Sequence, residues 1–246
     1  MRYLPAMWLR ALGFLFLSGL PAQADCTVLL HGLARSPNSL LLMETALKAR
    51  GGSVINAGYP STEAGLGTLV GYIDPAVASC GEVDRIDFVT HSMGGILVQL
   101  WALSHPERMG RVVMLAPPNG GSEIVDIFGE QAWFEWFNGP AGVRLGTSSE
   151  DIPAQLPEVT FDLGVIAGNQ TVNPITSAMI EGTDDGKVSV ENTRIAGMSD
   201  HITLPVTHTW MMNDPRVIVE TIAFLDSGAF VPEMSWGAAF KALTTR

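Results

Sequence analysis

A single serine is the first residue with chemical promise. Ser92 stands in Arg85-Ile86-Asp87-Phe88-Val89-Thr90-His91-Ser92-Met93-Gly94-Gly95-Ile96-Leu97-Val98, where an apolar run stops, two glycines follow and a second apolar run begins. The first run reads as a buried strand and the second as a helix. A serine on so tight a strand-to-helix turn presents its hydroxyl above the sheet. Such a turn is crowded, and Gly94 supplies the small neighbour it needs. Thr90 stands two residues before the serine, where glycine is commoner.

A serine hydroxyl is a poor nucleophile until a base takes its proton and an acid orients the base. The chain offers five histidines: His31, His91, His105, His201 and His208. In strand–turn–helix serine sites the order along the chain is serine, acid, histidine. His31 and His91 precede or adjoin the serine and fall out of that order. His105 ends a helix, a place for capping or solvation. Sites in open parallel sheets form at the carboxyl ends of the strands. His208 follows the run Ile202–Val206 and would lie at that end, whereas His201 precedes the run and would lie at the other. The acid should follow the strand Phe161–Ala167, which leaves Glu181, Asp184 and Asp185. Asp185 is preferred over Asp184 because the turn at Gly186 can aim its carboxylate inward. Acyl chemistry also needs two backbone N–H groups facing the oxygen that gains charge. Met93, at a helix start, offers one. Leu33, in the loop His31-Gly32-Leu33 after the first strand, offers the other.

These side chains need a scaffold. Strand and helix signals alternate along the chain, the pattern of a mostly parallel sheet with helices on both faces. Strands are expected at Cys26–Leu30, Ser53–Asn56, Arg85–Thr90, Arg111–Ala116, Phe161–Ala167 and Ile202–Val206, the last an edge strand because of Pro205. Helices are expected at Ser39–Arg50, Gly67–Ala78, Met93–Ser104 and Pro215–Leu225. The residues beyond Ser227 carry no clear pattern. Residues 117–158 break the alternation. They hold Ile124–Phe128 and Trp133–Phe137, which read either as an ordinary packing helix with a long loop or as a cap whose aromatic residues line an acyl pocket.

Composition narrows the class. The 246 residues are 47% hydrophobic and carry a formal charge of −11. Arg2 and Arg10, the apolar stretch 11–20 and the small-x-small site Ala22-Gln23-Ala24 read as a secretory signal over residues 1–24, leaving one domain over 25–246. The uninterrupted apolar stretch falls short of the ~20 residues that span a bilayer. Loss of the two arginines takes the charge to −13, which repels phosphate backbones and argues against nucleic-acid binding. An exported chain, periplasmic or secreted, meets an oxidising compartment, so Cys26 and Cys80 are expected to pair. No cluster has metal-ligand spacing and no glycine loop cradles a phosphate, so no cofactor or metal is expected.

Taken together, His31-Gly32-Leu33, Thr90-His91-Ser92-Met93-Gly94-Gly95, Asp185-Gly186-Lys187-Val188 and His208 resemble the α/β-hydrolase superfamily, and within it the small bacterial serine lipases and esterases. The resemblance spans Cys26 to about Leu225, with the first strand matching the family's third. It implies Ser92 as nucleophile, Asp185 as acid, His208 as base, and Leu33 and Met93 as oxyanion donors. It further implies cleavage of carboxylic esters without a cofactor, with a small-molecule or lipid ester as substrate and transient contact with a lipid surface. A thioesterase, amidase or acyltransferase would use the same groups; a lipid carrier on this scaffold would lack one of them.

Overall fold

The computed structural model describes residues 26–231 and 234–245; the expected signal segment lies outside them. Its centre is a six-stranded, all-parallel sheet. The strands are β1 (Cys26–Leu30), β2 (Ser53–Ala57), β3 (Ile86–His91), β4 (Met109–Leu115), β5 (Leu163–Gly168) and β6 (Asp200–Leu204). They lie in the order β2-β1-β3-β4-β5-β6, so the serine-bearing β3 is central and β6 is an edge.

Both faces of the sheet are covered, and the two-residue period of a strand explains how. Val28, Leu30, Phe88, Val112 and Met114 point to one side, into a core closed by Leu69, Ile96 and Trp101. Leu29, Val89, Val113 and Leu115 point to the other, into a core with Leu47, Phe224 and Leu225. Every residue of β1, β3 and β5 is buried. That is why these strands read as mostly apolar instead of alternating, with Thr27, Asp87, Thr90 and His91 as buried polar exceptions.

The covering helices follow in chain order: α1 (Leu41–Arg50), α2 (Leu66–Val70), α3 (Ile73–Ala78), α4 (Met93–Ala102), α5 (Glu123–Phe128), α6 (Ala132–Gly142), α7 (Ile152–Gln155), α8 (Pro174–Ser177), α9 (Pro215–Ser227) and α10 (Trp236–Thr244). Helix α9 starts where chemistry says it should. Asp214 accepts the Arg216 N–H as N-cap, and Pro215 occupies the first turn, where a missing N–H costs nothing. The disulfide Cys26–Cys80 ties the start of β1 to the turn before β3, at a sequence separation of 54.

Three expectations are corrected. The helix expected over Gly67–Ala78 is two short helices, with Pro75 in the first turn of the second, where proline is tolerated. The last strand is Asp200–Leu204 instead of Ile202–Val206, because Pro205 has no N–H to continue the ladder. His201 therefore lies inside the strand, paired with Val165, and does not precede it. The tail contains α10, which packs on α9.

Candidate active site

Helix α4 begins directly after Ser92, which has φ 52° and ψ −124°. A non-glycine residue there is strained, and surrounding structure must hold it. Two hydrogen bonds do so: the Ser92 N–H donates to Leu115 O at 2.8 Å, and Gly95 N–H donates to Ser92 O at 2.9 Å. Position 94 must be glycine, since a Cβ there would stand 2.6 Å from Leu30 O. The loop after β1 comes equally close, for a Cβ on Gly32 would lie 3.1 Å from Ser92 Cβ. Leu33, next in that loop, is half-buried at the wall of a cleft, and Met93 is buried at the first turn of α4.

The structure brings Ser92, His208 and Asp185 into one line. Ser92 Oγ lies 3.0 Å from His208 Nε2, and His208 Nδ1 lies 2.8 Å from Asp185 Oδ2. In the neutral ring, Nδ1–H donates to the carboxylate, so Nε2 is bare and accepts from the hydroxyl. The second carboxylate oxygen, Oδ1, accepts the N–H groups of Lys187 and Val188 at 3.0 and 2.9 Å. The His208 N–H donates to Asp185 O at 3.0 Å, tying the acid's turn to the loop after β6.

The other candidates are engaged elsewhere. Asp184 accepts from Ser177 Oγ at 2.5 Å and from Gly186 N at 2.7 Å, so its carboxylate serves the turn. Glu181 is exposed. His201 bonds Thr193 Oγ1 at 2.9 Å, and burial lowers its pKa. His31 stacks on Tyr59, whose hydroxyl donates to His31 O; burial holds the imidazole down and pushes the phenol up. His105 stacks on Trp101 at 4.3 Å.

A cleft of about 480 Å³ opens beside Ser92. Leu33, Ile124, Val125, Phe128, Trp133, Phe134 and Leu145 make its apolar lining, and Arg35, Thr171, Asn173, Thr176, Lys187 and Thr209 its polar lining. Residues 117–158 thus contribute most of the apolar part. The aromatic run divides, however. Trp133 and Phe134 face the cleft, whereas Trp136 and Phe137 are 77% and 60% exposed and do not line it.

Three participants escaped the sequence reading. His91, set aside by chain order, is wholly buried against His208. Arg35 and Lys187 sit two residues beyond Leu33 and Asp185, and their signal was there to find: cations beside two site motifs in an acidic chain.

The alpha/beta hydrolase fold family matches residues 55–161, a segment that includes Ser92. A sequence comparison with curated proteins finds no match. Among solved structures, the lipase BlEst2 of Bacillus licheniformis in its propeptide form superposes with a TM-score of 0.65 at 18% identity, covering 87% of this chain and 53% of that one. Its mature form gives 0.63 at 19% identity, over 85% and 94%. Phospholipase PlaB from Legionella pneumophila, in complex with thio-NAD, gives 0.66 at 16% identity, over 89% and 60%. The chain thus spans about half the length of the propeptide form and nearly all of the mature one. At these identities the likeness is one of fold.

Proposed function

We propose that this chain, a member of the α/β-hydrolase superfamily, cleaves carboxylic esters through an acyl-enzyme on Ser92, with His208 as base and Asp185 as the acid that orients it. The observation that carries the reading is the unbroken line from Ser92 Oγ to His208 Nε2 at 3.0 Å and from His208 Nδ1 to Asp185 Oδ2 at 2.8 Å.

His208 takes the hydroxyl proton as Ser92 Oγ attacks the ester carbonyl carbon. The carbonyl oxygen gains the charge and is met by the backbone N–H groups of Leu33 and Met93; removing one such donor costs about 3 kcal/mol of transition-state stabilisation. The imidazolium returns its proton to the departing alkoxide, the alcohol leaves, and Ser92 holds the acyl group. Water, relieved of a proton by His208, attacks the acyl carbon, and Ser92 recovers its hydrogen as the acid departs. Asp185 keeps Nδ1 protonated throughout and stabilises the imidazolium at each stage.

The apolar lining from Ile124 to Leu145 supports an apolar acyl group, so the preferred substrate is a medium-chain or lipid-like ester, and residues 117–158 act as its cap. The outward Trp136 and Phe137 on the same helix support transient contact with an aggregated lipid surface. The Cys26–Cys80 disulfide supports an exported protein. No helix among the described residues is long and apolar enough to cross a membrane. The test is hydrolysis of p-nitrophenyl octanoate. The purified chain should release nitrophenol with saturation kinetics, and Ser92→Ala should lose at least ~10³-fold in kcat. Equal rates for the two proteins would refute the reading.

A further inference from the structure

We infer that the cleft selects acyl esters bearing an anionic group, a phosphate or carboxylate, close to the scissile bond, and that Arg35 and Lys187 hold that group. The inference rests on the ester-hydrolase reading above and names the substrate class of the same site.

The charge balance of the cleft opposes that of the protein. The chain carries −11 overall, yet the cleft is lined by two basic side chains, Arg35 and Lys187, and one carboxylate, Asp185. That carboxylate is already committed: its oxygens accept from His208, Lys187 N and Val188 N, and neither cation forms an ion pair with it or with any other described residue. The Arg35 guanidinium makes one hydrogen bond, a long 3.3 Å contact to Thr209 O, so most of its five N–H donors are unused. The Lys187 ammonium has no hydrogen-bond partner among the described residues. Its main chain, by contrast, is pinned, with the N–H on Asp185 and the carbonyl accepting from Ser122 Oγ at 2.8 Å. Lys187 is exposed and lines the cleft, which is the position of a side chain reaching along a cleft wall.

The two cations sense one another. Loss of hydration and then the Arg35 charge lower the Lys187 pKa, and both charges also depress the buried His91 beside Ser92. Two like charges lining one cleft beside an apolar wall raise the energy of the empty site. An anion between them removes the repulsion and fills the open donors, with arginine offering a two-pronged grip and lysine a point charge. A charge-assisted pair of this kind raises affinity about tenfold or more. A neutral ester would leave both cations unmatched. The net negative charge of the chain disfavours anions elsewhere, so the preference is local to this site.

The experiment compares kcat/KM of the full chain on two matched pairs below their aggregation concentrations. 1-Octanoylglycerol 3-phosphate against 1-octanoylglycerol places the charge on the alcohol side. Mono-p-nitrophenyl adipate against p-nitrophenyl hexanoate places it on the acyl side, nearer the scissile bond. The expected result is a preference of about 10-fold or more for the anionic member of one pair, the pair itself telling which source of charge the site takes. Lys187→Gln and Arg35→Gln should each pull that ratio towards unity, and Lys187→Arg should keep it. A purely structural role would slow both members alike and leave the ratio where it was. Turnover of the neutral esters with no anionic preference in either pair overturns this inference alone. No turnover of any ester, together with no Ser92-dependent labelling by a fluorophosphonate, overturns both it and the hydrolase reading.

Discussion

The ring of His91 donates from Nε2 to the backbone carbonyl of His208 across 3.0 Å. His91 is the residue before the nucleophile and ends β3, so this bond fastens the loop carrying the proposed base to the strand carrying the proposed nucleophile. Burial, and then the neighbouring His208, hold the His91 pKa well below the usual histidine value, so it stays neutral and keeps one tautomer.

His91→Ala should therefore lower kcat by about 10–100-fold through a displaced His208, while KM changes little. His91→Gln carries a donor at a similar reach and should recover most of the rate. Steady-state kinetics of the two variants check this. Equal losses in both, or a loss confined to KM, would show that the bond does not position the base.

Asp87 makes stability depend on pH. Its Oδ1 accepts the Arg111 N–H at 2.8 Å, while Oδ2 is buried without a hydrogen-bond partner. Burial pushes the carboxyl from 3.8 up to about 6. A raised acid pKa means that the folded chain binds its proton more tightly than the unfolded one. The stability present below pH ~4 is thus lost as pH climbs through 6, by about 2–3 kcal/mol. Asp87→Asn removes that loss, so its Tm should match wild type near pH 4 and exceed it at pH 7.5. A Tm difference independent of pH would contradict the assignment.

The Cys26–Cys80 bridge closes a long loop, 54 residues in separation. On the chain-entropy model such a link contributes about 4 kcal/mol by restricting the unfolded state. Cys26→Ala/Cys80→Ala should lose about 2–4 kcal/mol of unfolding free energy in urea, with activity retained at low temperature because the bridge lies at the opposite end of β1 from the cleft. A change in denaturation midpoint too small to measure would rule the contribution out.

The split aromatic run separates two roles. Phe128→Ala and Trp133→Ala each remove apolar contact from the cleft and should cut the octanoate-to-acetate ratio of kcat/KM by about tenfold. Trp136→Ala should leave that ratio alone, since its side chain faces outward. A chain-length series with the three variants is the measurement, and identical ratios throughout would remove residues 117–158 from any part in acyl selection.

What could be read from the chain was local or sheet-deep. The turn at Ser92 announces itself because a strand, a serine and two glycines follow closely, and the buried strands because most residues on both their faces are apolar. The end of β6 that carries His208 was legible from the strand alone, although Pro205 shifted its bounds. Asp185 was preferred to Asp184 from the turn at Gly186, but the bonds that engage Asp184, from Ser177 Oγ and Gly186 N, were not legible, because the two differ in which way a carboxylate leaves the same turn. The outward facing of Trp136 depended on the rotation of α6 against the core. Helix α10 had no local signature, since its apolar residues Trp236 and Phe240 remain half-exposed while only Ala239 is buried. The contact between His91 and His208 joins residues 117 apart, beyond any local pattern.

The central claim is that Ser92 is a nucleophile activated by His208. Intact-mass spectrometry after exposure to a fluorophosphonate tests it without a guess at substrate. The wild-type chain should gain a single phosphonyl adduct, mapped to the peptide containing Ser92. Ser92→Ala should gain none, and His208→Ala should react at least ~10³-fold more slowly. Labelling of Ser92→Ala at the wild-type rate, or an adduct on another residue, would contradict the account.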